Sequence, residues 1–280
     1  MHSSSKGSSM NRFEGKVAFI SGGARGQGRS HAVRLASEGA DIVTFDICAQ
    51  VDSVLYPMST SEDLAETERL VKSAGGRIIA READVRDRSA VAKVFSEGIA
   101  EFGHVDIVIA NAGIMPLDSP QAFYDAVDVM LTGVWHTVEA AVPHLIERGK
   151  GGTIVITSST AGLKALTPTR DHAMPGGLGY HAAKHGVIGL MRCYAQSLAE
   201  HRIRCVTVNP TGVNTPMVVN SVFEELVAQH PEIVGSYTNP MGVELIEPSD
   251  VSDAIAFLCS DEAKWITGIS VPVDAGICNK

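Results

Sequence analysis

Aromatic residues make up only 5% of the chain, and its five cysteines (Cys48, Cys193, Cys205, Cys259 and Cys278) include no C-x-x-C pair. That scatter excludes a recognisable disulfide framework or zinc ribbon and suits a reducing, cytoplasmic setting. Apolar runs stop at strand length, so no segment is expected to cross a membrane. Basic residues are the minority, giving a net charge of -9 and a pI near 5.5. This balance argues against a nucleic-acid or anionic-membrane partner. His181 and His185 stand at i,i+4, but no glutamate lies between them in an H-E-x-x-H pattern and no cysteine pair completes a zinc sphere. No metal site is expected. The serine-rich start lacks the hydrophobic stretch of a secretory signal, and residues 1–12 read as a disordered tail.

What remains is 280 residues with 45% apolar content, enough for one sizeable core in residues 13–280. Strand-like and helix-like segments alternate. Lys16–Ile20, Ile42–Asp46, Arg77–Glu82, Val105–Ala110, Thr153–Thr157, Ile203–Val208 and Ser270–Val273 read as strands. Helical patterns fall at Gln27–Glu38, Glu62–Ala74, Asp87–Phe102, Pro120–Glu147 (with Pro143 as a possible bend), Tyr180–Glu200, Val222–Gln229 and Ser249–Ser260, the last capped by Ser249. Alternation of this kind predicts an α/β fold, a single Rossmann-type doubly wound parallel sheet of about seven strands with helices on both faces. In such sheets ligands bind outside the carboxyl ends of the strands. Ser21–Gly28, Asp46, Asp84, Asn111–Gly113, Ser158–Ser159 and Pro210–Thr215 all fall at those ends.

Ser21-Gly22-x-x-x-Gly26-x-Gly28 lies between a strand and a helix. Glycines let backbone approach a pyrophosphate, and the helix start around Arg25, Gly26, Gln27 and Gly28 supplies free N–H groups. Asp46 follows Gly28 by 18 residues. A carboxylate there accepts from ribose hydroxyls and repels a 2′-phosphate, which points to NAD over NADP. Arg25 is a counter-signal, because a guanidinium in the loop accommodates that phosphate. Asp84-Val85 has two readings, a carboxylate against the adenine amino group or a turn-forming aspartate. Asn111-Ala112-Gly113 suits a tight strand exit, with Asn111 either structural or in contact with the ligand. Met217, Val218, Val219, Val222 and Phe223 read equally as a substrate lid or as the buried face of a short helix.

Tyr180 and Lys184 are spaced i,i+4, which stacks them on one helix face. An ammonium beside a phenol favours the phenolate, so the Tyr180 pKa is expected to fall from about 10. Such a phenol exchanges a proton with an alcohol or carbonyl. Ser159 would hold the reacting oxygen.

With these residues assembled, residues 14–277 resemble the short-chain dehydrogenase/reductase family. The resemblance rests on Ser21-Gly22-x-x-x-Gly26-x-Gly28, Asn111-Ala112-Gly113, Ser159, Tyr180-x-x-x-Lys184 and Asn209-Pro210-x-Gly212-Val213-x-Thr215. It implies that Tyr180 is the general acid/base, that Lys184 lowers its pKa and binds the nicotinamide ribose, and that Ser159 orients the substrate. Thr160-Ala-Gly162-Leu163 marks Ser159, and not Ser158, as the catalytic serine. The resemblance assigns Val213 and Thr215 to the nicotinamide carboxamide, with Pro210 in the same binding segment. It also implies a homotetramer paired through the helices of Pro120–Glu147 and Tyr180–Glu200. The insertion at 47–63, with Tyr56-Pro-Met-x-Thr-x-Glu-Asp-Leu64, resembles the mycofactocin-associated, carveol-dehydrogenase-like branch. That implies a tightly held NAD, an apolar secondary alcohol or ketone as substrate under a lid at 210–240, and a peptide-derived redox cofactor as electron acceptor. One departure stands out: Met130 occupies the place where the family carries a water-holding asparagine. Two alternatives to an NAD-dependent oxidoreductase follow, an NADP-dependent carbonyl reductase on the strength of Arg25 and a nucleotide-sensing or scaffold protein on the strength of Met130.

Overall fold

The computed structural model describes residues 11–166, 173–229 and 238–280. Seven strands form one sheet: β1 Val17–Ser21, β2 Asp41–Asp46, β3 Ile78–Glu82, β4 Ile107–Ala110, β5 Gly152–Thr157, β6 Ile203–Pro210 and β7 Ser270–Val273. Their order is β3-β2-β1-β4-β5-β6-β7 and every pairing is parallel. The doubly wound reading is therefore correct. The winding reverses between β1 and β4, where Phe19 pairs Val43 on one side and Val108 on the other. A ligand crevice is expected outside that reversal.

The central strands are apolar on both faces because helices cover both. On one face Phe19 packs against Phe45 and edge-on against Phe95. On the other, Ile20, Ile42 and Val155 bury with Leu35 and Ile255. The helices are α1 Gly26–Ala36, α2 Ser61–Ser73, α3 Arg88–Phe102, α4 Pro120–Val127, α5 Gly133–Arg148, α6 Pro175–Ser197, α7 Ser221–Gln229 and α8 Pro248–Cys259. Local chemistry explains their ends. Thr60 and Asp63 form a reciprocal capping box at α2, Asp87 caps α3, and Gly103 closes α3 with φ +80°.

Three boundaries differ from the sequence reading. The Pro120–Glu147 helix continues through Pro143. It is interrupted by a π turn at Asp128–Thr132, beside Gly133, whose added Cβ would lie 2.7 Å from Val85. The Tyr180 helix starts at Pro175, since proline is well placed in a first helical turn, so Tyr180 stands one turn in. Ser249 does not cap α8; Glu247 does, in a capping box with Asp250. The first ten residues of the expected tail, six residues of the 159–180 loop and the lid segment 230–237 lie outside the described residues.

Candidate active site

The glycine loop leaves β1 and folds back under α1. Gly22 has φ +72°, and a Cβ there would sit 2.7 Å from the Ala112 Cα. A Cβ on Gly28 would lie 2.0 Å from the Gly22 carbonyl oxygen, so only glycine lets α1 start this close to β1. Arg25 is the N-cap residue of α1 but its side chain caps nothing, and the first turn carries no acidic residue. The turn is left with unprotected N–H groups and a positive dipole end, a donor set for a phosphate.

Along the same crevice, the Ala24 N–H donates to Asp46 Oδ2 at 2.9 Å and the Ser59 hydroxyl donates to Oδ1 at 2.6 Å. A carboxylate has about four acceptor positions, so Asp46 keeps capacity for a diol. Arg25 lines the same crevice, and one of its donors, Nη2, is given to the Pro57 carbonyl at 2.6 Å. Asp84 is a turn aspartate, accepting from the Arg86 N–H and Nε, each at 2.8 Å, and it still lines the crevice with Val85. Asn111 is structural, its amide donating to the carbonyls of Ser21 and Gly22 while its oxygen accepts from Thr157.

Gly22, Arg25, Gly26, Gln27, Asp46, Asn111, Ala112, Gly113 and Thr215 share the crevice wall. Gly28, Pro210 and Val213 are not part of it. Gly28 lies behind the loop. Val213 is buried and bridges to Ile246 through the Gly212 carbonyl and the Asn214 N–H, which leaves its own amide and carbonyl facing the other way.

Ser159, Tyr180 and Lys184 come together at the end of β5. The buried Lys184 Nζ donates to the Thr157 carbonyl at 2.8 Å and stands 5.6 Å from the centre of the Tyr180 ring. Burial alone pulls its pKa down from 10.5 to about 8. The direction of the Tyr180 pKa is the opposite of the expected fall. Burial raises it, against a weaker downward pull from its hydrogen bond to Ser159. The sequence spacing placed the two side chains correctly but said nothing of how dry the site is, and desolvation disfavours charge on both groups. Ser158 is directed elsewhere, donating to the Lys184 carbonyl at 2.9 Å. Ser159 accepts from the Ala161 N–H at 3.1 Å, which fixes its rotamer. His181 is a structural link: the Leu166 N–H donates to its Nε2 at 3.3 Å, and its Nδ1 meets the Gly177 carbonyl at 2.8 Å.

Met130 lies fully buried within the π turn, its sulfur beside Gly113. Met217 lines the crevice with Thr215 and Pro216; α7 has no fully buried residue, and Met217 and Val222 pack partly buried against the core. Sequence reasoning missed the individual contributions of the insertion. Val51, Tyr56, Met58 and Ser59 form a wall of the crevice. The signal was present, since a tyrosine and a valine in an otherwise irregular stretch need a surface to bury against.

The family model described as Enoyl-(Acyl carrier protein) reductase matches residues 22–278. The chain belongs to the short-chain dehydrogenase/reductase family. Among relatives of this dehydrogenase/reductase, an uncharacterised oxidoreductase of Mycobacterium tuberculosis is 51% identical over 95% of this chain and 97% of its own. The (-)-trans-carveol dehydrogenase of Rhodococcus erythropolis is 43% identical over 95% and 99%. The crystal structure of carveol dehydrogenase from Mycobacterium avium in complex with NAD superposes with a TM-score of 0.89. It is 46% identical and covers 96% of this chain and 99% of that one. Within this dehydrogenase/reductase no described helix is long and apolar enough to cross a membrane, and all five cysteines are free thiols.

Proposed function

We propose that this short-chain dehydrogenase/reductase is an NAD-dependent oxidoreductase that interconverts an apolar secondary alcohol and its ketone. One observation carries the reading: the Ser159–Tyr180–Lys184 cluster and the Asp46 carboxylate lie at the carboxyl edge of one parallel sheet, with a glycine loop and an uncapped helix start between them. These residues fit a dinucleotide. The first turn of α1 receives the diphosphate, Asp46 the adenine ribose, and Lys184 and Thr215 the nicotinamide half. NAD, when bound, supplies the hydride acceptor and, oxidised, a positive charge.

Ser159 holds the substrate oxygen through its hydroxyl. Tyr180 carries the proton. Burial favours the protonated phenol, the form that donates to a carbonyl. Acceptance of a proton from an alcohol requires positive charge nearby, and Lys184 provides one of those charges below about pH 8. Lys184 is buried, and the low-polarity surroundings strengthen its interactions.

The Asp46 carboxylate on the crevice wall opposes the NADP alternative, while Arg25 gives one donor to the Pro57 carbonyl and keeps the others. The scaffold alternative rests on Met130 and is opposed by the intact Ser159–Tyr180–Lys184 set. The insertion supports a tightly held NAD, the resemblance to the carveol-dehydrogenase-like branch extends this to electrons passing to a peptide-derived redox cofactor, and α4, α5 and α6 are the elements proposed to pair in a cytoplasmic homotetramer. Absorbance and mass of any copurifying nucleotide, followed by its reduction with terpenoid and alicyclic alcohols, test the reading. Hydride transfer at 340 nm with at least one such alcohol supports it; NAD binding with no transfer to or from any member of the panel favours the scaffold.

A further inference from the structure

Beneath the glycine loop, the buried face of α1 carries a string of polar side chains. Among the described residues two buried side-chain atoms lack a hydrogen-bond partner, Gln27 Oε1 and His31 Nε2. They belong to residues four apart, which share one face of α1. Helical side chains lean toward the helix start, and this carries the His31 ring back toward Gln27. Gly28, between them, shows what the buried side of this turn meets: a Cβ there would lie 2.9 Å from Asn111 Nδ2. Buried polar atoms left unpaired are rare and costly. Two of them on one helix face, at the glycine loop, call for a common cause.

The surroundings of His31 select its tautomer. The ring is buried, and burial pulls its pKa from 6.5 down to about 3, against a weaker upward pull from Asn111. The imidazole is therefore neutral and carries one proton. Its Nδ1 lies 2.8 Å from Ser252 Oγ, which in turn lies 2.7 Å from Ser30 Oγ. On the other side Asn111 has no hydrogen to give. Its amide donates to the Ser21 and Gly22 carbonyls, at 3.3 Å each, and its oxygen accepts from Thr157. Gln27 likewise turns an oxygen inward. Nε2 thus faces acceptors, while Nδ1 faces a hydroxyl that can donate. Every group is served when Nε2 holds the proton, Ser252 donates to Nδ1 and Ser30 donates to Ser252. The Pro248 carbonyl, 2.9 Å from Ser252 Oγ, does not need that hydroxyl, since α8 supplies it with the Ser252 N–H.

We propose that His31 is a positioning residue: it donates from Nε2 to Gln27 Oε1 and so turns the Gln27 amide nitrogen into the crevice as a donor to the dinucleotide's diphosphate. The terminal torsion of a glutamine is soft, and a modest rotation closes the pair. Gln27 lines the crevice at the second position of α1, beside the free N–H groups of the first turn. An ionised phosphate oxygen accepts and does not donate, so it selects the nitrogen end of the amide and leaves the oxygen for His31. The proposal rests on the dinucleotide-binding reading above.

The test uses the full chain and needs no turnover. Nitrogen-15 NMR reads the His31 tautomer, its signals assigned by their loss in His31→Gln. The proton is expected on Nε2; a proton on Nδ1 would overturn the proposal. Calorimetry then gives the dissociation constants of NAD and ADP-ribose. Gln27→Leu should weaken both alike, by about tenfold or more, the scale of a hydrogen bond to a charged group. His31→Leu should weaken both by about three- to fivefold, the scale of a neutral bond. Placed on Gln27→Leu it should add less than about twofold, because the two residues act as one unit. His31→Gln, whose amide supplies an N–H near the place of Nε2, should recover most of the loss. The tautomer and Gln27→Leu decide the matter if His31→Leu melts too early to assay. Unchanged constants in Gln27→Leu, a loss confined to NAD, or losses that add in the double variant would overturn the proposal. Failure of the parent to bind either ligand would instead remove the dinucleotide reading, and the tautomer would still decide the bond between His31 and Gln27.

Discussion

The Lys184 ammonium spends its hydrogen bond on the Thr157 carbonyl at the end of β5, while its helical neighbour Tyr180 bonds to Ser159. The two side chains share one helix face, with the amine 5.6 Å from the ring centre, yet each is fastened to a different part of the β5 end. Their relationship is that of two groups dried by the same wall, and burial is the largest influence on the pKa of each.

Replacement of Lys184 by methionine should abolish turnover and stabilise the fold at neutral pH. The folded lysine loses its proton near pH 8, against 10.5 for an ordinary lysine. Its contribution is thus unfavourable and fully present below pH 8, and fades as pH rises toward 10.5, because across that window the unfolded chain binds the extra proton. The difference corresponds to about 3 kcal/mol, offset by about 1 kcal/mol for the lost bond to Thr157. Thermal melting of parent and Lys184→Met should show a gain on the order of 1–2 kcal/mol at pH 7 that disappears by about pH 10. A loss of stability at pH 7 would contradict the burial argument.

Tyr180 should ionise above the usual 10 in the ligand-free protein, and at lower pH with oxidised dinucleotide bound, whose positive ring opposes the desolvation. Ultraviolet titration of the parent minus Tyr180→Phe isolates this phenol. The same substitution should lower kcat by about a hundredfold or more, the range of a lost general acid/base.

Met130→Asn should raise or preserve turnover. The side chain is fully buried, so an asparagine amide there lacks water and should lower stability by about 1–3 kcal/mol. Activity and melting temperature measured together separate the two effects. A tenfold fall in kcat would show that the thioether has a task of its own beside Gly113.

Asp46→Ser should erode discrimination between NAD and NADP. The carboxylate repels a 2′-phosphate and also receives the Ala24 N–H and the Ser59 hydroxyl. Titration with both dinucleotides should show NAD binding weakened about tenfold or more, the scale of a lost charged hydrogen bond, and NADP binding unchanged or improved. An unaltered ratio would move the ribose contact elsewhere.

Gly28→Ala should prevent the glycine loop from closing, because the new methyl would lie 2.0 Å from the Gly22 carbonyl oxygen. Overpacking of backbone against backbone is destabilising by about 1–3 kcal/mol or more. A variant that melts like the parent and binds dinucleotide equally well would refute the close approach.

The sheet was legible in the sequence because length and composition are local: apolar runs such as Val17–Ile20 and Ile107–Ala110 are too short for helices and alternate with longer helical patterns. The catalytic spacing was legible for the same reason, since i,i+4 on a helix fixes which residues share a face whatever surrounds it. The sequence by itself determined the alternation of strands and helices, the glycine loop and the grouping of Ser159, Tyr180 and Lys184 by motif. Only the tertiary structure decided the direction of the Tyr180 pKa, the contact of Arg25 with Pro57, the structural role of Asn111 and the contact of His31 with Ser252. Each of these depends on contacts between residues far apart in the chain, and on how much water they exclude, which no local pattern encodes.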